Sequence, residues 1–210
     1  DQYADAYAVR GSVMYWDLSN APAAKNDLEK ALAISPNNPY INYAYAEYLF
    51  DYSYVLIDKD KTNLAINSAN EAIKYFEKSI SNEGYENDLM IKRFFPFGVK
   101  YDSYAQIGGA KFELYFLYKE NKQRKLAKET LNSAIADYSK SIELAPSQEE
   151  TDKIELDRDF DYVDLGELHF YRGNAYSWLD NTGRKACKDW KISKKYGNKD
   201  AKKNVREWRC

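Results

Sequence analysis

Between Asn132 and Pro146 the small and apolar residues Ala134, Ile135, Tyr138, Ile142 and Ala145 fall at helical spacing, and Pro146 closes the run. This pattern predicts one amphipathic helix with a stop signal. The run Asn70 to Ile80, 62 residues earlier, carries nearly the same order, with Ala72, Ile73, Phe76 and Ser79. A third copy, Asp27 to Pro36, lies near the start, and a fourth, Lys185 to Trp190, near the end. The chain is organised around a recurring helix.

Taken in order, each copy is preceded by a second helical pattern, so the unit is a hairpin. Residues 2–18 predict a helix with Gly11 inside it. An interior glycine costs about 1 kcal/mol against alanine, which marks close approach of another backbone. Ser19 to Pro22 predicts a turn, and the second helix ends before Pro36. Residues 38–57 and 61–82 predict a second hairpin turning at Asp58 to Lys61, and 101–120 with 123–145 a third turning at Glu120 to Lys122. At an offset of 62 these two match without a gap: Phe50 with Phe112, Tyr54 with Phe116, Leu64-Ala65 with Leu126-Ala127. A fourth hairpin, within 161–195, matches the first at an offset of 162. There Arg10-Gly11 meets Arg172-Gly173, Trp16 meets Trp178, Ala24 meets Ala186, and Leu28 meets Trp190. Residues 198–209 place Ala201, Val205 and Trp208 on one stripe, as expected of a closing helix that hides a terminal apolar face. Two connections, 83–100 and the acidic 147–160, read as irregular.

A glycine and a small residue on the first helix, alanine then an aromatic on the second, and a closing proline resemble the tetratricopeptide repeat. The matching residues are Gly11, Ala24, Leu28, Ala31 and Pro36, then Ala46, Ala72, Phe76 and Ser79. They continue with Gly108 or Gly109, Ala134, Tyr138, Ser141 and Pro146, and end with Gly173, Tyr176, Ala186 and Trp190. The first and last hairpins carry one extra turn residue over the usual period of about 34. The middle two are about twelve residues longer from the glycine, or its equivalent, to the alanine, so their arms should overhang the stack. The tail, with Ala186, Trp190, Gly197-Asn198 and Ala201, also looks like the related Sel1-like repeats. The resemblance implies one all-α domain over 1–210. It would be an α-α superhelix of about four hairpins (2–36, 38–82, 101–146 and 161–195) with a capping helix at 198–209. First helices would line a concave groove that binds a protein or peptide and does no chemistry.

Composition narrows this reading. A formal net charge of −2 excludes a globally basic nucleic-acid binder. Hydrophobic content of 44% supplies a core, and five prolines with nine glycines argue against disorder. No run approaches a membrane span. The last 27 residues hold eleven Lys and Arg against three acids, yet no nucleic-acid recognition motif accompanies them. Nucleic acid is therefore not expected as a partner.

Chemistry-bearing residues are few. His169 is the single histidine and has no nucleophile in sequence to serve, so an ordinary helix-face role is expected. Asp157, Asp159 and Asp161 alternate as calcium loops do, but the glycine and distal glutamate are missing, so a solvated linker is expected. Neither metal nor cofactor is expected. The twenty tyrosines are the notable surface. By the resemblance, the groove would carry Tyr15, Tyr40, Tyr43, Glu47, Phe112, Phe170 and Asn174, tyrosine offering contact area at low entropy cost. Relatives that hold chaperone C-termini use lysines, an asparagine and an arginine as a carboxylate clamp. Those places here read Ala8, Tyr43, Ala105 and Phe170, with Ser12, Glu47, Gly109 and Asn174, so the clamp is absent. Two alternatives to a scaffold remain: self-assembly through the long middle hairpins, or an α-helical toroid hydrolase or lyase using acids such as Glu47 or Asp102.

Cys187 and Cys210 are the whole thiol inventory. A closing helix that returns after Gly197 would bring their sulfurs together, an arrangement that resembles the end of exported bacterial tetratricopeptide proteins. The bridge would be worth roughly 3 kcal/mol in the chain-entropy model. Since such bonds persist in oxidising compartments, an exported, periplasmic protein whose signal has been removed is expected. The alternative is a cytoplasmic protein with two unrelated thiols.

Overall fold

The computed structural model of the chain describes residues 2–16, 19–82, 84–85, 88–147, 150 and 163–210. Among the described residues it is all-α: α1 Gln2–Trp16, α2 Ala21–Ile34, α3 Pro39–Ile57, α4 Thr62–Ser81, α5 Leu89–Phe94, α6 Val99–Glu120, α7 Arg124–Leu144, α8 Leu165–Ser177, α9 Gly183–Lys195 and α10 Lys199–Glu207. The chain forms two compact units, Asp1–Ser103 and Tyr104–Cys210, with the boundary inside α6. In the first unit α1 packs on α2, α3 on α4, and α5 on α3; in the second, α8 packs on α7 and α9, and α9 on α10.

The expected hairpins are present, and their turns repeat at the two offsets read from the sequence. Asp60 and Lys122, 62 apart, both adopt the left-handed region, at φ 55° and 61°. The same bonds flank them: the amide of Asp60 donates to Ile57 O and that of Lys61 to Leu56 O, while Lys122 donates to Lys119 O and Gln123 to Tyr118 O. Ser19 and Asn181, 162 apart, share the left-handed conformation at φ 49° and 61°. Pro22 sits in the first turn of α2, where its missing N–H costs nothing.

What sets helix against helix is a close approach. A Cβ added at Gly11 would lie 2.8 Å from Leu28 Cγ, one at Gly108 would lie 2.7 Å from Tyr138, and one at Gly173 would lie 2.8 Å from Trp190. Of the adjacent glycines in α6, Gly108 is thus the one that receives the partner helix. Leu28, Tyr138 and Trp190 are all buried there.

An ion pair with a buried acid stands beside each of these contacts. Asp27, Asp137 and Asp189 immediately precede Leu28, Tyr138 and Trp190 in the sequence, and all three are buried. Arg10 grips Asp27 with two bonds of 2.5 and 2.9 Å, and Arg172 grips Asp189 with two of 2.8 Å. Lys111 Nζ donates to Asp137 at 2.6 Å. All three are charge-assisted and the two arginine pairs are bidentate, the strong kind of bond.

Two differences from the sequence reading concern connections. Residues 83–100 read as irregular, yet they contain α5, and α6 begins at Val99 rather than 101. Asp88 explains the first, because its side chain accepts from the amides of Met90 and Ile91 and caps a turn whose Ile91 is buried. The acidic linker with Asp157, Asp159 and Asp161 lies outside the described residues.

The expected closing helix is α10. Ala201 joins Ala186 and Trp190 in a buried cluster, with Val205, Phe170 and Cys210 packed against it. Cys187 and Cys210 are paired across this cap, Cα to Cα 5.4 Å.

Removing Arg172 would leave the Asp189 carboxylate, whose side chain is 2% exposed, without a permanently charged partner and with only His169 beside it. Arg172→Ala is expected to lower the unfolding free energy by about 3 kcal/mol in urea titrations. Arg10→Ala should cost less, because water already reaches its guanidinium. Equal losses would contradict this account of the pairs.

Candidate functional site

The first unit gathers side chains from α1, α3, α5 and α6. On α3, residues 40, 43, 47 and 51 recur at three and four residue steps, so Tyr40, Tyr43, Glu47 and Asp51 share one face. From α1, Ser12 is hydrogen-bonded to Tyr40, and Tyr15 meets Tyr48 edge-on at 5.3 Å. From α6 comes Asp102, whose charge bears on Glu47 together with that of Asp51.

The insertion lies on this same face. Phe94 stacks on Tyr40 at 4.5 Å between centroids, and Phe95 meets Tyr43 edge-on at 4.8 Å. Both tyrosines are thereby buried, while Tyr15, Ser12, Glu47 and Asp51 remain half-buried and reachable. Phe95 is itself buried, which answers how three phenylalanines in a connection avoid water.

Among the described residues no ion pair involves Glu47, Asp51 or Asp102. Desolvation, with the charges of Asp51 and Asp102 added, pushes Glu47 up to about 8, although Tyr43 donates a hydrogen bond to it. Burial pushes Asp102 up to about 7 and Asp51 to about 6. Asp102 Oδ2 is buried without a hydrogen-bond partner. Burial and the charge of Asp51 likewise push the Tyr15 hydroxyl up to about 12.

The remaining expected site residues lie in the second unit. Phe112 packs on Phe116 at 5.1 Å, which meets Trp178 edge-on at 5.3 Å. Lys119 covers the Trp178 ring at 4.5 Å. Of these, Lys119 and Trp178 line a cavity of about 300 Å³ together with Tyr115, Arg124 and Lys128. Phe170 packs into the cap cluster instead. Asn174 is also structural in its contacts, since its Oδ1 accepts from Trp190 Nε1 at 2.9 Å and from Asn204 at 3.3 Å. His169 is buried with Nδ1 2.9 Å from Asp189. Sequence reasoning missed Asp51, which repeats Glu47 one turn on, and the buried acids Asp27, Asp137 and Asp189. Their signal was present: each acid stands directly before the packing residue of its second helix.

Raised and lowered carboxyls divide the pH response. The folded first unit holds protons on Glu47, Asp51 and Asp102 more tightly than the unfolded chain does. Stability from these groups is complete below their ordinary values of 4.5 and 3.8. It is lost as pH rises through about 6, 7 and 8 in turn. Asp27 works the other way, because the bond from Arg10 holds its carboxyl low, and its contribution is lost in acid. Unfolding free energy is expected to fall by about 1–3 kcal/mol between pH 5 and pH 8.5, and Glu47→Gln should flatten that fall. A wild-type stability that rises over the same range would contradict the assignment.

Comparison with known proteins bears on the first hairpin. The tetratricopeptide repeat family model matches residues 4–38. No curated protein and no solved structure matches the chain. Among the described residues no helix is long and apolar enough to cross a membrane. The match covers α1 and α2, and the glycine contact and bidentate pair found there recur at α8 and α9. The first hairpin is thus similar to the tetratricopeptide repeat, within an all-α chain of repeated hairpins.

Proposed function

We propose that the chain is a non-enzymatic scaffold that holds a protein or peptide on the α3 face of its first unit. The observation that carries this reading is the convergence of Ser12, Tyr15, Glu47, Asp51 and Asp102 from the first helices of three successive hairpins. Tyr40 and Tyr43, pinned by Phe94 and Phe95, form its rigid floor. Repeats of this type serve protein interaction at the level of the family. Peptides selected on the full chain from a random library should lose at least tenfold in affinity on Tyr15→Ala and on Glu47→Lys, and be indifferent to Phe112→Ala. Selected peptides that ignore both first-unit substitutions would sink the reading.

The raised carboxyls of Glu47 and Asp102 are also what an α-helical toroid hydrolase or lyase would use. Against that stands the company they keep. Tyr43 already donates to Glu47, the single histidine is bound to Asp189 in the other unit, and both thiols are paired. Neither the histidine nor a free thiol is thereby left beside the acids among the described residues. Self-assembly through the long hairpins α3–α4 and α6–α7 is the other alternative, and light scattering over a range of concentrations separates it.

The cap supports a proposal on location. A bridge between Cys187 and Cys210 closes α10 against α9 and would survive in an oxidising compartment, so an exported protein is inferred. Unfolded without reductant, the protein should show no reactive thiol. Two reactive thiols would remove both the bridge and the inference of export.

A further inference from the structure

A cavity of about 570 Å³ opens in the second unit between α9 and the residues that follow α10. From α9 come Arg184, Lys188 and Lys191, which recur at four and three residue steps and so share one face. Opposite them stand Trp208 and Arg209. Every titratable side chain on these walls is a cation, and the two cysteines there are bridged to each other. Among the described residues no carboxylate pairs with any of the four. Asp189, the one acid of α9, is turned to Arg172 and His169 instead. Arg184 and Lys188 lie one turn apart, and like charges at that spacing work against the helix. Lys191 alone is partly occupied, its Nζ donating to the Cys210 carbonyl oxygen.

A second observation is independent of the charge. Helix α10 ends as α9 does, in a Schellman turn. After α9 the amides of Gly197 and Asn198 donate to Lys194 O and Ser193 O; after α10 those of Arg209 and Cys210 donate to Arg206 O and Val205 O. The pivotal residue is left-handed in both, Gly197 at φ 91° and Arg209 at φ 52°. Glycine takes that conformation freely, whereas arginine holds it at a cost. A residue kept where its backbone is strained points to a use for its side chain. The backbone that carries Arg209 is also pinned on both sides. Cys210 is bridged to Cys187, Cα to Cα 5.4 Å, and Trp208 meets Trp190 edge-on at 5.2 Å.

We propose that this cavity binds a polyphosphate group, held by Arg184, Lys188 and Arg209 with Trp208 as an adjoining apolar wall. A phosphate chain brings many acceptor oxygens and concentrated negative charge to a place that has donors, positive charge and no acid. Arginine meets phosphate with two parallel bonds and lysine meets it as a point charge. A cavity of this volume falls in the range of small-molecule sites. The polyphosphate can be inorganic, or it can be the tail of a nucleotide whose base lies against the half-exposed ring of Trp208. The site lies wholly in the second unit and does not depend on the scaffold reading.

Calorimetric titration of the full chain with tripolyphosphate, ATP and adenosine, in the absence of divalent metal, tests the site. Both phosphates are expected to bind at least tenfold more tightly than adenosine. Arg209→Gly should weaken both at least tenfold, yet melt no lower than the wild type, because glycine relieves the left-handed turn. Gly183→Leu is the stricter variant. It keeps all four cations, and its added Cβ meets Trp208 at an ordinary 4.0 Å, while the rest of the side chain fills the cavity. It too should weaken both phosphates at least tenfold. Tripolyphosphate that at least matches ATP assigns an inorganic chain, and tighter ATP assigns a nucleotide; either supports the site. Wild-type affinity in Gly183→Leu would make the charge an open surface, as a nucleic acid or a membrane would meet it, and overturns the cavity site. Retained affinity in Arg209→Gly overturns it as well, and so does silence from both phosphates.

Discussion

Three of the four hairpins hang on helices approaching closely enough that only glycine fits between them, and in the second the buried Ala46 holds that place. At Gly11, Gly108 and Gly173 a side chain from the partner helix sits where a Cβ would go. That contact fixes which faces of the two helices meet, and with them the direction in which every other side chain points. Because the large partner differs at each place, leucine, tyrosine or tryptophan, the constraint lies on the glycine side. The partner has only to be large and apolar.

A close approach of this kind also buries what stands next to it. The residue before each large partner is an aspartate, drawn into the interface by its neighbour, and burying a carboxylate alone would undo the gain from packing. A cation on the facing helix resolves this, and the fork of arginine does so with two parallel bonds. The pairs therefore follow from the packing and also select it, since a helix slipped by one turn would part the charges. Asp189 carries this furthest: burial pushes its carboxyl up, yet Arg172 and His169 together hold it below the usual range.

Much of this was legible along the chain. The hairpins, their turns and both offsets follow from spacing, because a repeat must bury the same face each time. So did Gly11 and Gly173. Less could be read where side chains meet across large separations. Asp102 lies 55 residues from Glu47, and no local periodicity links them. Similarly Phe94 and Phe95 were recognisable as needing cover, but not that Tyr40 and Tyr43 would supply it. The short α5 escaped notice because six residues are too few to show a period. Its cap, Asp88, was the available sign. Asn174 and Phe170 were placed in a groove by analogy of position, whereas the cap helix, built from the residues that follow, engages both.

The same rule that explains the paired acids makes the unpaired ones informative. Had burial of carboxylates been indifferent in this fold, the resident cations at three separate places would have no account. Given those cations, three carboxyls gathered without one are a departure that costs stability at neutral pH. A folded chain lowers that cost by holding protons there, which is why the three carboxyls are displaced upward. Protonation is a partial remedy, however, since Asp102 still keeps an oxygen with nothing to accept from. Among the described residues no cation pairs with any of the three.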